Sequence, residues 1–322
     1  MKKVLKTTIP IIKTYQHSAY LEIVCSNDTR IDAWIINKYI QWNFEGNNLK
    51  IINANPWETV PFIQKNVLEL KFVEDIDKTI KGFLSNNYYV MLTGIDDFYL
   101  ENSAHYKRMH YSHDIFIYGF DDDKAIYYAA GYTSNNKFEF YTFGQKNILK
   151  AINSQYITPY YSAVAALQLK PKTESDYNVD WNAIIRGFDE YLHPIKDINQ
   201  NELIFGIDAY EHILNYLESS KIKSNTPLDL RMFRIIYEHK ICMLKRIEVL
   251  HAEFNIFNHE VVVCKNILNL AENTFMLSIK YNNFTQDEKI ILKLIDNIKK
   301  ITELECGMIT QILEKRNIVL CL

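Results

Sequence analysis

The chain has 322 residues, 48% of them hydrophobic and 23% charged, and its formal net charge is −3. That is a globular composition with room for about two domains, and the weak negative charge supplies no basic field for nucleic acid. No apolar run approaches the ~18 residues of a membrane span, and the basic start, Met1–Tyr20, lacks the apolar core and cleavage site of a signal peptide.

Taken in order, "AYLEIVC" (19–25) is a short apolar run that ends on Cys25. It leads into "NDTRIDAWIINKYIQW" (27–42), a predicted helix. Asn27, Asp28 and Thr29 are cap-competent there, and Thr29 with Asp32 makes a capping-box pattern. The same stretch also allows a helix to begin near His17, with His17 and Ser18 at its start and Cys25 two turns inside. Next come β-like runs. "YYVMLTGID" (88–96) is apolar and bounded by polar pairs. "HDIFIYGF" (113–120) and "KAIYYAAGY" (124–132) flank an acidic turn, Asp121–Asp123, and read as a hairpin. "KFEFYTF" (137–143) alternates with period two, and "GQKNILKAINSQ" (144–155) is a short amphipathic helix.

The polar stretch Lys170–Asp180 marks a boundary. Beyond it the pattern is helical: 180–193, 205–220, 226–254 with Thr226 as N-cap and Pro227 in the first turn, 257–283 and 285–315. The expected fold class is therefore α+β, with a mixed domain over 1–170 and an all-α antiparallel bundle over 171–322.

Five cysteines are present, Cys25, Cys242, Cys264, Cys306 and Cys321. None forms a C-x-x-C pair, which argues against a zinc ribbon or a disulfide framework and for a reducing cytoplasm. Cys25 is the only one in the mixed half. Read as a residue just before a capped helix, its thiol feels the positive end of the helix dipole, which favours thiolate. The plain alternative is a small buried hydrophobe. His105, His110 and His113 are spaced H-x4-H-x2-H on a loop running into a strand. That placement does not force them to converge as ligands, so no metal site is expected. His113 differs from the other two because it stands at the mouth of a buried strand, where its ring can face a cleft. No Walker, dinucleotide-binding or G-x-S-x-G pattern occurs.

"HDIFIYGFDDDKAIYYAAGY" resembles the histidine hairpin of papain-like cysteine enzymes. With "YQHSAYLEIVC" upstream, "IDDFYL" before it and a helical second half, the chain is similar to the butirosin-biosynthesis protein H family. That resemblance implies a papain-like N-terminal domain and an amide-forming acyltransferase of non-ribosomal natural-product assembly. Such an enzyme takes an acyl chain from the phosphopantetheine thioester of a carrier protein and passes it to a small amine, with no other cofactor. It further implies Cys25 as nucleophile and His113 as base, with a ping-pong acyl-enzyme. The third residue stays open, because the return strand carries "AAGY" (129–132) where an acid is usual; Asp97 and Asn135 are the candidates. Backbone N–H groups near residues 25–29, joined by Gln16 or His17, are the expected oxyanion donors. The position that opens the family's first helix falls on Ser18 in one alignment, which leaves Ser18 as the alternative nucleophile. The competing functions are a peptidase or thioesterase-type hydrolase and a non-catalytic module that binds a carrier.

Overall fold

A computed structural model describes residues 1–26, 28–45, 48–51, 57, 59–135, 137–157, 161–173, 176–194, 203–222, 226–284 and 286–320. The protein is mixed α+β, with a large antiparallel sheet and a helical C-terminal region. The chain folds as two compact units. One comprises Met1–Asp28 and Asn55–Asp176, the other Thr29–Ala54 and Tyr177–Leu322. A single cut after residue 170 therefore does not describe the chain, because Thr29–Ala54 belongs with the second unit.

The first unit is built on a sheet of order β4-β9-β5-β6-β7-β8, formed by β4 (Ile63–Glu69), β5 (Tyr89–Asp96), β6 (Ser112–Asp121), β7 (Ile126–Tyr132), β8 (Phe138–Gly144) and β9 (Ala163–Leu169). Every neighbouring pair is antiparallel, and the short β1 (Lys2–Val4) also pairs with β6. In β6 the residues from Ile115 to Asp121 are all buried, while Ser112–Asp114 reach the surface. A strand buried on both faces reads as a continuous apolar run, and this one opens only at its N-terminal end. Among the described residues three helices pack on the sheet, one of them α4 (Asn147–Ile152) on β5 and β8. α1 (Gln16–Val24) packs on β7 and β9, and α3 (Ile76–Ser85) packs on β5 and β6. Tyr20 of α1 stacks on Phe116 of β6 with ring centroids 4.8 Å apart.

The second unit is helical but not all-α. It contains α2 (Thr29–Lys38), α5 (Trp181–Leu192), α6 (Ala209–Ile222), α7 (Leu230–Phe254), α8 (Asn258–Asn283), α9 (Glu288–Glu314) and α10 (Arg316–Leu320). With them runs a three-stranded antiparallel sheet of order β10-β2-β3, made of β2 (Trp42–Glu45), β3 (Asn48–Ile51) and β10 (Leu203–Phe205). β2 and β3 follow α2, and β10 joins them from the C-terminal half, so the small sheet ties the two parts of this unit together. Within the bundle α7 packs on α8, α8 on α9 and α6 on α9. The N-cap of α7 is Asp229, whose side chain accepts from Arg231 N–H, and not Thr226 as expected. Asn27, one of the expected caps of α2, and Thr285, the start expected for α9, lie outside the described residues.

A fully buried charged network lies inside this unit. Lys240 Nζ donates to Glu305 Oε1 (2.5 Å) and to His239 Nδ1 (3.0 Å), and sits 4.3 Å from the centre of the Trp42 ring. His239 Nε2–H donates to the Ile40 carbonyl at 2.8 Å, which leaves Nδ1 as the acceptor for Lys240 and makes the ring neutral. Glu305 Oε2 accepts from the hydroxyls of Tyr210 (2.7 Å) and Tyr191 (3.0 Å). Trp42 Nε1–H donates to the carbonyl of Gly206 at 2.7 Å. Gly206 has φ +53°, and a Cβ there would lie 2.3 Å from the Tyr191 carbonyl oxygen, so only glycine fits that turn.

Candidate active site

α1 begins at Gln16, nine residues before Cys25, so the structure follows the reading in which the helix opens near His17. Residues Ser18–Val24 are all buried, and the apolar run 19–24 is spent on helix packing against the sheet. Cys25 is therefore the C-cap of α1, and its N–H donates to the Leu21 carbonyl at 3.0 Å. This corrects the expectation that Cys25 stands at a helix N-terminus. At the carbonyl end the helix dipole disfavours thiolate. The thiol is also 0% exposed. With ~1.5 Å of rise per residue, Cys25 lies roughly 12 Å along the axis from His17. Cys25 and His17 thus stand at opposite ends of α1, and it is the His17 end that meets β6 beside His113. We predict that iodoacetamide leaves Cys25 unmodified in the folded protein and modifies it after denaturation, as read by peptide mass mapping. Cys25→Ala is expected to leave turnover unchanged.

The first turn of α1 meets β6 instead. His17 Nε2–H donates to Asp114 Oδ2 at 2.8 Å, and Asp114 Oδ1 accepts from Gly94 N–H at 3.2 Å. Gly94 has φ +67° and sits in a bulge of β5, where the pairing with β6 shifts between Leu92 and Ile95. Such bulges re-aim the side chains beyond them, and here the residues beyond it are Asp96 and Asp97, with Ile95 opposite His113. Burial pushes the Asp114 carboxyl up, but the hydrogen bond and charge of His17 outweigh it and hold the group below the usual carboxylate range.

His113 stands where β6 emerges, its side chain 27% exposed. Its Nδ1 lies 3.9 Å from Asp97 Oδ2, within ion-pair range and beyond a direct hydrogen bond. Burial lowers the His113 pKa below the ordinary histidine value. The charges of His105 and His17 act in the same direction, while Asp97 and Asp114 oppose them. The ring is therefore neutral at pH 7, as a general base must be. Of the two candidates for the third residue, Asp97 stands at ion-pair distance from His113. Asn135, the other candidate, stands exposed between β7 and β8.

The two histidines set aside in the sequence are also held by carboxylates. His105 Nδ1–H donates to the same Asp97 Oδ2 at 3.0 Å. His110 Nδ1–H donates to Asp96 Oδ2 at 2.7 Å, and its ring is stacked between Phe98 (4.2 Å) and Tyr156 (4.1 Å). Asp96 also accepts from Ser154 and from the N–H groups of Phe98 and Tyr111. Burial raises its pKa, but these bonds and the one from His110 outweigh that and hold it low.

The oxyanion expectations fare less well. The Nε2–H of His17 is spent on Asp114, which removes His17 as a donor from that nitrogen. Gln16 opens α1, and its Oε1 is a buried acceptor without a hydrogen-bond partner. An amide flip would put an NH₂ donor in the same place. Trp57 Nε1–H is a second buried, unpartnered polar group, and its ring lies 6.2 Å from that of His17. Ser18 occupies the first turn of α1 but is only 1% exposed. Asp114 and Trp57 are site neighbours that the sequence did not single out. The only available signal for Asp114 was its place directly beside His113 in an apolar strand.

Among the described residues no group of three or more His, Cys, Asp or Glu side chains is arranged to hold a metal ion, and no helix is long and apolar enough to cross a membrane. No protein-family model and no curated protein matches the chain.

Proposed function

We propose that the chain is a papain-like acyltransferase that forms an amide directly, moving an acyl group from a carrier-bound thioester to an amine with His113 as general base and without a covalent acyl-enzyme. One observation carries the reading: a solvent-reaching imidazole, kept neutral by burial and backed by Asp97, stands where the nearest expected thiol is a helix length away. Support for the substrates comes from the family resemblance of the His113 hairpin. An amine is a strong enough nucleophile to attack a thioester itself, provided its proton is removed as the C–N bond forms. A neutral histidine does that work, a contribution of about 10²–10⁴-fold. Thioester to amide is downhill, so no ATP is required. Gln16 and Trp57 supply unpartnered polar atoms for the thioester and its neighbouring groups. The phosphopantetheine arm is thus substrate, the carrier protein is the partner, and the cytoplasm is the compartment in which both meet.

A second reading is favoured by the place of Ser18. It lies in the first turn of the helix whose head meets β6, where papain-like enzymes carry their nucleophile. Its burial argues against it, since a nucleophile must reach the thioester.

The test is to incubate the protein with hexanoyl-pantetheine, with and without ethylenediamine. The expected result is hexanoyl amide that forms only with the amine, with free hexanoic acid at the buffer rate. Acid released at the same rate with or without amine identifies a hydrolase. Neither product identifies a binding module and overturns the proposal.

A further inference from the structure

Asp97 serves two histidines with one oxygen. Its Oδ2 accepts from His105 Nδ1 at 3.0 Å and lies 3.9 Å from His113 Nδ1. The two rings meet edge to face with centroids 6.2 Å apart, and each side chain is about a quarter exposed, at 26% and 27%. The carboxylate itself is 5% exposed, so its charge is compensated by these neighbours more than by water. Tyr111 lies against both rings, at 4.4 Å from His105 and 5.5 Å from His113. The charged and titratable groups facing His113 are thus Asp97, His105 and Tyr111 from the segment between β5 and β6, Asp114 from β6 and His17 from α1.

Of the two histidines, His105 makes the direct hydrogen bond to Asp97, while His113 stands at ion-pair distance from the same oxygen. We infer that His105 is the acid partner of the base His113, carrying the proton that Asp97 holds and delivering it to the departing thiolate. This rests on the acyl-transfer reading of the site.

The step balances. An amine entering as the free base forms a C–N bond to the thioester carbonyl carbon and gives an N–H proton to His113. The C–S bond breaks with its electron pair on sulfur, and the thiolate takes the proton from His105. The products are an amide and a thiol, with His113 protonated and His105 neutral. One proton passing from His113 to His105, between exposed edges, restores the starting state.

The test combines a pH profile with a measurement that needs no turnover. With hexanoyl-pantetheine and ethylenediamine, wild-type kcat/KM is expected to rise and then fall with pH. His105→Gln is expected to lose the falling limb and to drop roughly 10²-fold at neutral pH. A drop that leaves the bell shape intact overturns the acid role, because a merely structural His105 scales the curve without reshaping it. In parallel, NMR of ¹⁵N-histidine-labelled protein is expected to show the Nδ1–H of His105 held in a hydrogen bond that Asp97→Asn removes. If the hydrogen-bonded Nδ1–H belongs to His113 instead, the pairing is wrong. If the hydrogen bond is as expected but no amide forms, the acyl-transfer reading fails while the paired histidines stand.

Discussion

Replacing Lys240 by methionine is expected to cost about 3–5 kcal/mol of stability, the usual penalty for breaking a fully buried ion pair. Lys240 and Glu305 are both 0% exposed, so removing the cation leaves a carboxylate with only the hydroxyls of Tyr191 and Tyr210. The cost comes from that orphaned charge and not from the worth of the pair, since burying two ions is itself expensive. The double variant Lys240→Met/Glu305→Gln removes the charge while keeping an acceptor for the tyrosines. It is expected to recover most of the loss. Urea unfolding of the two variants and the wild type measures the difference through the midpoint at constant slope. A double variant as unstable as the single one contradicts this explanation. The network also tells why the second unit is one body: its ion pair joins α7 to α9, and its Trp42 and Ile40 contacts tie in the segment that follows α2.

The second large effect concerns His113. His113→Gln is expected to lower the rate of amide formation by about 10²–10⁴-fold, the usual worth of a positioned base. In the wild type the base works only while neutral. Burial, helped by the charges of His105 and His17, depresses its pKa below the ordinary 6.5. The rate is therefore expected to hold as pH falls through 6.5 and to decline only at lower pH, where the ring protonates. Asp97 and Asp114 work against this depression. Neutralising Asp97 with Asn is expected to move the acidic limb to still lower pH while reducing the rate, because the imidazolium that forms loses the carboxylate beside it. Initial rates across pH 5–8 check both statements.

Much of the sheet could be read directly from the residues. β5 to β8 follow from apolar runs of strand length, an acidic turn and the period of two in "KFEFYTF". α5 to α9 follow from apolar stripes at helical spacing. α1 was ambiguous for a physical reason: "AYLEIV" is apolar at nearly every position, and a fully buried helix has no polar face to reveal its period. That ambiguity carried the site with it, because Cys25 faces one environment at a helix head and the opposite one at its tail. β4 shows the converse problem. It is an edge strand with Gln64–Leu68 exposed, so it lacks the alternation that a half-buried strand shows. The allegiance of Thr29–Ala54 to the second unit is set by contacts with residues some 150–200 positions away, such as His239 with Ile40, which no local pattern encodes.

The site was half legible. His113 at a strand mouth and Asp97 just before it follow from the hairpin and the "IDD" that ends the preceding strand. The roles of His105 and Asp114 were hidden. His105 reaches Asp97 only because the chain turns between them, and His17 meets Asp114 across 97 residues of sequence. The bulge between Leu92 and Ile95, whose Gly94 N–H holds Asp114, is a local irregularity that sequence periodicity does not register.

The central claim is that this site transfers an acyl group without becoming acylated. Intact-protein mass spectrometry during turnover of hexanoyl-pantetheine and ethylenediamine tests it most directly. Amide is expected to accumulate while the protein mass stays at that of the unmodified chain, in the wild type and in Cys25→Ala alike. A hexanoyl adduct that forms with thioester alone and is discharged by the amine, on Ser18 or on Cys25, would contradict the claim.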